Sequence, residues 1–278
     1  MQSYSAKMKI SPTQRGLTIA LAVIVLNALL YVTPVYRAIG GDIVLAINSL
    51  TNIAAGLVSV VLGLRLWRSS RRGESSRFIW ASLTTGLIVW MIAEVTWDGY
   101  QIVRGIEMPT TSPVDIIWMF GYIAVISGLI LRVYTFRMHP TKAWQFTLLA
   151  VFGLMAVLAV IYLIVPMLNG SQIDPSYNRY TGLFYAVCDL VMAFLALLLF
   201  LVLEGGLLSK PWAMIALACL CIAVSNLFYG YGISQGIYQM DPAAGLNALS
   251  YIVDTFYTFA YVLMALGLYL QARVLDAT

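Results

Sequence analysis

Histidine is almost absent from this chain: His139 is the only one. A histidine-built metal centre or a Ser-His-Asp triad therefore cannot be assembled from it. Cysteine is scarce as well. Cys188, Cys219 and Cys221 all fall inside apolar segments, where free buried thiols are the default and structural disulfides are not indicated. No glycine-rich phosphate loop is present. No lysine lies in the interior of the last two apolar segments, so a retinal Schiff base has no candidate. No nucleophile–base–orienter set can be assembled. An enzyme, a cofactor and a metal site are therefore not expected. Charged residues make up only 10% of the chain, against roughly 25% in an ordinary soluble domain. No charge run or low-complexity stretch marks a disordered tail.

What fills the sequence is apolar: 61% of residues are hydrophobic and mean hydropathy is +0.87. Eight segments are long enough to span a bilayer, since about 20 residues at ~1.5 Å rise cross a ~30 Å core. Their limits are 17–36, 43–67, 78–103, 113–136, 144–168, 179–204, 210–233 and 245–272. The first follows Lys7, Lys9 and Arg15 without a small-residue cleavage site, so a retained helix is expected, not a signal peptide. The expected fold is an all-α integral membrane protein with a short tail at 1–16.

Basic residues set the expected orientation. With the N-terminus in the cytoplasm, thirteen lysines and arginines fall inside and only Arg37, Arg104 and Arg179 outside. This is the positive-inside pattern. It implies a multi-pass protein of the plasma (inner) membrane with both termini cytoplasmic. The net charge of +4 is then an inner collar facing anionic lipid; nothing calls for nucleic acid.

Two stretches are near-copies. Asp115–Leu131 and Asp254–Leu270 align without gaps, sharing Asp115/Asp254, Phe120/Phe259, Tyr122/Tyr261, Gly128/Gly267, Leu129/Leu268 and Leu131/Leu270. Upstream, Gly99–Ile106 matches Gly230–Ile237. An even number of helices per half implies two parallel four-helix repeats, 17–137 and 144–273, related by an axis along the membrane normal. The offset grows from 131 to 139 residues between the matched stretches, so the outer loop of the second half is longer.

Acidic residues inside a bilayer are costly and seldom idle. On the third segment, Trp90, Glu94, Trp97, Asp98 and Gln101 recur at helical spacing and share one face. Glu94 and Asp98 stack one turn apart, so at least one is expected to be neutralised by a proton or a bound cation. The bland alternative is a solvated Asp98 and a Glu94 bonded to a neighbouring helix. Ser112-Pro113-Val114-Asp115 reads as a helix start, which favours capping for Asp115. Asp241-Pro242 offers a cap for the last helix, so Asp254 is expected inside it. Asp189 has the plainest intramembrane surroundings. Trp97, Trp118, Tyr122 and Tyr261 fall among the aromatic residues nearest these acids. An interfacial belt accounts for most such aromatics. The functional reading is one outward-opening cavity lined by Glu94, Asp98, Asp115, Asp189, Asp254 and these four rings, suited to an organic cation or amphipathic ligand.

Glu94-x-x-Trp97-x-x-Tyr100, Gly105, Pro109, Ser112-Pro113-x-Asp115, Trp118 and Gly121-Tyr122 together resemble a pattern in multi-helix membrane input domains. Those domains form the N-terminal membrane regions of prokaryotic histidine kinases and diguanylate cyclases. The resemblance covers about 45 residues directly, around the motif residues just named, and the remainder through helix count and orientation. It implies a sensory module whose last helix signals to a cytoplasmic output domain. This chain departs from the pattern by stopping at Thr278, soon after the last helix. Either it acts through partners, or the output domain is absent from this chain. Candidate partners are the bilayer, a small cationic or amphipathic ligand, a cytoplasmic output protein and a second copy as a homodimer. The alternative is a small proton- or cation-coupled transporter, with Glu94, Asp189 and Asp254 on its pathway.

Overall fold

The structure, a computed structural model, describes residues 11–104, 112–135, 141–169, 178–202, 208–238 and 247–277. Among them there is no strand. The helices are α1 (Pro12–Leu30), α2 (Thr33–Ile39), α3 (Gly41–Ser69), α4 (Ser75–Arg104), α5 (Pro113–Thr135), α6 (Lys142–Ala159), α7 (Val165–Asn169), α8 (Arg179–Val202), α9 (Ser209–Ser234) and α10 (Ala248–Ala277). A π-helical turn, Val160–Ile164, joins α6 to α7. Taking α6 to α7 as one span, eight of the described spans are long and apolar enough to cross a membrane. The chain is built as a multi-pass membrane protein.

Local chemistry sets the helix ends. Ser11 and Gln14 form a reciprocal capping box ahead of α1, with Pro12 at the first helical position. Pro34, which cannot donate into a continuing helix, sits at the start of α2. The first apolar segment is thus two helices, α1 and α2, where one helix over 17–36 was expected. Gly40, at φ 92°, admits the left-handed bend into α3. Ser112 N–H donates to Asp115 Oδ2 at 2.8 Å, so Asp115 caps α5 as its sequence suggested. For α10 the cap is Asn247, whose Oδ1 accepts from Ser250 N–H at 2.8 Å. Asp241-Pro242, the expected start, lies outside the described residues. Gln101 is helical, but its side chain is among those not described, and His139 and Pro109 also fall outside them.

Six helices pack in a closed order. α3 lies on α4, α4 on α5, α5 on α8, α8 on α9, α9 on α10, and α10 returns to α3. α1 packs outside on α10 and α6 outside on α8. Lipid is as apolar as leucine, so association rests on close van der Waals fit and small residues. Gly128 lies against Leu83 of α4, and Gly267 against Pro211 O and Ile215 of α9; an added Cβ would stand 2.7 Å from a side-chain carbon in both cases. Gly121 is likewise pressed against the Trp90 ring.

The two ends of this ring differ. At one end Trp80 of α4 and Trp212 of α9 meet with ring centroids 5.2 Å apart. α4 and α9 are opposite members of the ring, so this pair closes its middle. The Arg132 guanidinium stands 4.3 Å from the Trp212 centroid, and Arg65 pairs with Asp276 on the same end. The other end carries the buried acids.

Candidate functional site

Glu94 and Asp98 project from one face of α4 and are both buried, at 4% and 6% exposure. Glu94 reaches α10, where Tyr257 donates to Oε2 at 2.9 Å and Tyr261 at 3.5 Å. The two tyrosine hydroxyls lie 3.4 Å apart. α3 fills the corner between α4 and α10. Its Asn48 Oδ1 accepts from Thr258 of α10 at 2.6 Å and from Asn27 of α1 at 3.0 Å. Ser49 faces the Asp98 carboxylate. Asn52, one turn further along the same face, is buried, and its Oδ1 has no hydrogen-bond partner. Neither has Asp98 Oδ2. Among the described residues no lysine, arginine or histidine is paired with either acid.

A second corner is built across α8. Asp189 is wholly buried there. Tyr122 of α5 donates to Asp189 Oδ1 at 2.6 Å. Asn226 of α9 donates to the Tyr122 hydroxyl at 2.5 Å and contacts Asp189 Oδ1 at 3.4 Å. The Tyr122 ring stands edge-on to Trp90, centroids 5.2 Å apart. Trp90 in turn donates through Nε1 to Trp118 O at 3.3 Å. Nearer the start of α5, Asp115 Oδ1 accepts from Tyr185 at 2.9 Å.

Asp254 occupies a third position, within α10 as expected. Tyr238 donates to its Oδ1 at 2.8 Å, and Tyr31, at the end of α1, to its Oδ2 at 3.3 Å. Asp254, Tyr257, Thr258 and Tyr261 follow at helical spacing, so one stripe of α10 serves both Asp254 and Glu94.

The residues expected in one cavity are therefore distributed. Glu94, Asp98 and Tyr261 meet directly. Trp97 and Trp118 pair with each other at a tilt, centroids 5.3 Å apart. Tyr122 joins Asp189 instead, and Asp115 is engaged by its own cap and Tyr185. Sequence reasoning passed over Asn48, Ser49, Asn52, Thr258, Asn226, Tyr31 and Tyr238. A signal existed for some of them. Asn48 and Asn52, four residues apart in an apolar run, cannot both face lipid without stranding their amides.

Chemically, the α3–α4–α10 corner sets two carboxylates among hydroxyl and amide groups, and no lysine, arginine or histidine among the described residues pairs with the acids. Compared with family models, with curated proteins and with solved structures, the chain matches none. The functional reading therefore rests on this geometry.

Proposed function

We propose that the protein is a membrane-embedded sensory module. It binds a small cationic or amphipathic ligand in an acidic, aromatic-lined cavity open to the outer side. The occupancy of that cavity passes to the cytoplasm through α10 or through a partner output protein. One observation carries this reading: Glu94 and Asp98 are buried together and paired with no cation among the described residues. A lipid-facing carboxylate at depth costs on the order of 3 kcal/mol even on the milder scale, and two adjacent buried acids add mutual repulsion. A bound cation relieves both. The Trp80–Trp212 contact at the basic end supports access from the opposite end alone. Because α10 donates Tyr257 and Tyr261 to the site and ends at the basic collar, it is the natural element to relay binding.

In this reading residues 17–137 and 144–273 are parallel repeats with both termini in the cytoplasm of the plasma (inner) membrane. The thirteen-to-three split of basic residues supports the orientation. Tyr122 and Tyr261, matched in the sequence alignment, each bridge the ring across a neighbouring helix to a polar group. Gly128 and Gly267, also matched, each mark a close helix approach. These correspondences support the repeat. The resemblance to kinase and cyclase input domains fits the same role.

The second reading is a small proton- or cation-coupled transporter. Asp189, wholly buried beside Asn226, favours it. Proteoliposomes separate the two. A sensor retains radiolabelled methylammonium in proportion to protein and independently of any imposed gradient, and Glu94→Gln abolishes retention. Accumulation in the vesicle lumen driven by a proton or sodium gradient would contradict sensing and establish transport.

A further inference from the structure

The α3–α4–α10 corner constrains the ligand further. Glu94 accepts from two tyrosines, and Asn48 Oδ1 from two donors. Both are supplied with hydrogen atoms already. Asp98 Oδ2 and Asn52 Oδ1 are supplied with none. Buried polar atoms are nearly always paired in native structures, so each exception calls for a partner. These two exceptions lie on adjacent packed helices, one turn or less from the Ser49–Asp98 contact. The missing partner must donate hydrogen bonds. A cation that does so also neutralises Glu94 and Asp98, which have no protein counter-ion among the described residues.

We infer that Asp98 and Asn52 select a primary ammonium group, so that the ligand is an N–H-bearing organic monocation. An ammonium offers three donors on a compact head, enough for Asp98 Oδ2, Asn52 Oδ1 and one Glu94 oxygen. A quaternary ammonium carries the same charge and no donor. It leaves both acceptors stranded, and a site built to bond N–H groups rejects analogues lacking them. The Trp97–Trp118 pair, one turn away on α4 and across on α5, offers apolar cover for the organic part. This inference rests on the sensory reading and sharpens it: Asn52, an uncharged residue on a different helix, becomes the discriminator.

The experiment uses the full chain in lipid nanodiscs and follows thermal stabilisation by a series of chloride salts. Ethylammonium is expected to stabilise the protein, with half-maximal effect at a concentration about 10- to 100-fold lower than tetramethylammonium, the range for charge-assisted hydrogen bonds. Asn52→Leu is expected to erase that preference. Asn52→Asp, which keeps an oxygen acceptor in place, is expected to preserve it and controls for misfolding of the leucine variant. Equal half-maximal concentrations for ethylammonium and tetramethylammonium, with both lost in Glu94→Gln, would overturn the N–H selection while leaving the cation-binding reading intact. A response to sodium equal to that of ethylammonium would likewise overturn it in favour of a metal cation. No response to any of the salts would contradict the functional reading itself, and this inference with it.

Discussion

The corner across α3 and the corner across α8 are alike in construction and unlike in chemistry. In each, a tyrosine at matched positions of α10 and α5 reaches over one helix to a polar group on the helix beyond: Tyr261 to Glu94, Tyr122 to Asn226. In each, the intervening helix contributes amides or an acid, Asn48 and Asn52 on one side and Asp189 on the other. The number of acids separates them. The α8 corner joins Asp189, Tyr122 and Asn226 in a compact set around Asp189 Oδ1, with Asp189 Oδ2 left without a partner. The α3 corner has two acids, three polar α3 side chains and three acceptors without partners, Asp98 Oδ2, Asn52 Oδ1 and Asn27 Oδ1. The lesson is that one framework, used twice, places a single acid beside two donors at one corner and two adjacent acids at the other.

Breaking the framework gives the largest expected effect. Gly128→Leu and Gly267→Leu each force a branched side chain into a backbone approach with no room for it. Loss of folded protein, measured as monodisperse yield in detergent, is expected for both. Wild-type yield of either variant would show that its close approach is dispensable and would weaken the equivalence of the halves.

Removing the matched hydroxyls sharpens the comparison at intermediate cost. Tyr122→Phe removes the short bond to Asp189 and leaves it only the 3.4 Å contact from Asn226, so a stability loss of about 1–3 kcal/mol is expected. Tyr261→Phe leaves Glu94 with its shorter bond to Tyr257, and a loss below about 1 kcal/mol is expected. Unfolding in lipid or mild detergent provides the readout, and equal losses would refute the distinction. The smallest effect belongs to the basic end. Arg65–Asp276 is a half-exposed pair, so Asp276→Asn is expected to change stability by less than about 1 kcal/mol. A larger change would mean that this end does more than collar the bundle.

The fold was legible because hydropathy and length alone mark the spans, and because Pro113 and Ser112 announce a helix start. The break after Leu30 was less visible, since Tyr31 and Val32 continue the apolar run and only Pro34 interrupts it. The site was half legible. An aspartate or glutamate in an apolar segment draws attention at once, so Glu94, Asp98, Asp189 and Asp254 stood out. Their partners did not, because Tyr257, Tyr238, Tyr31 and Asn226 come from distant segments, where a tyrosine reads as interfacial belt. Grouping Tyr122 with Glu94 failed for the same reason: periodicity says which residues share a face, not which helix that face meets.

The central claim is that the α3 corner binds a cation and the α8 corner does not. Calorimetric titration of ethylammonium into wild type, Glu94→Gln and Asp189→Asn, side by side in nanodiscs, tests it most directly. The account predicts saturable binding to wild type, loss of binding in Glu94→Gln, and an affinity within about threefold of wild type for whatever fraction of Asp189→Asn remains folded, since a difference below 1.4 kcal/mol is less than tenfold. Binding that survives Glu94→Gln but disappears in folded Asp189→Asn would contradict it and move the site to the other corner.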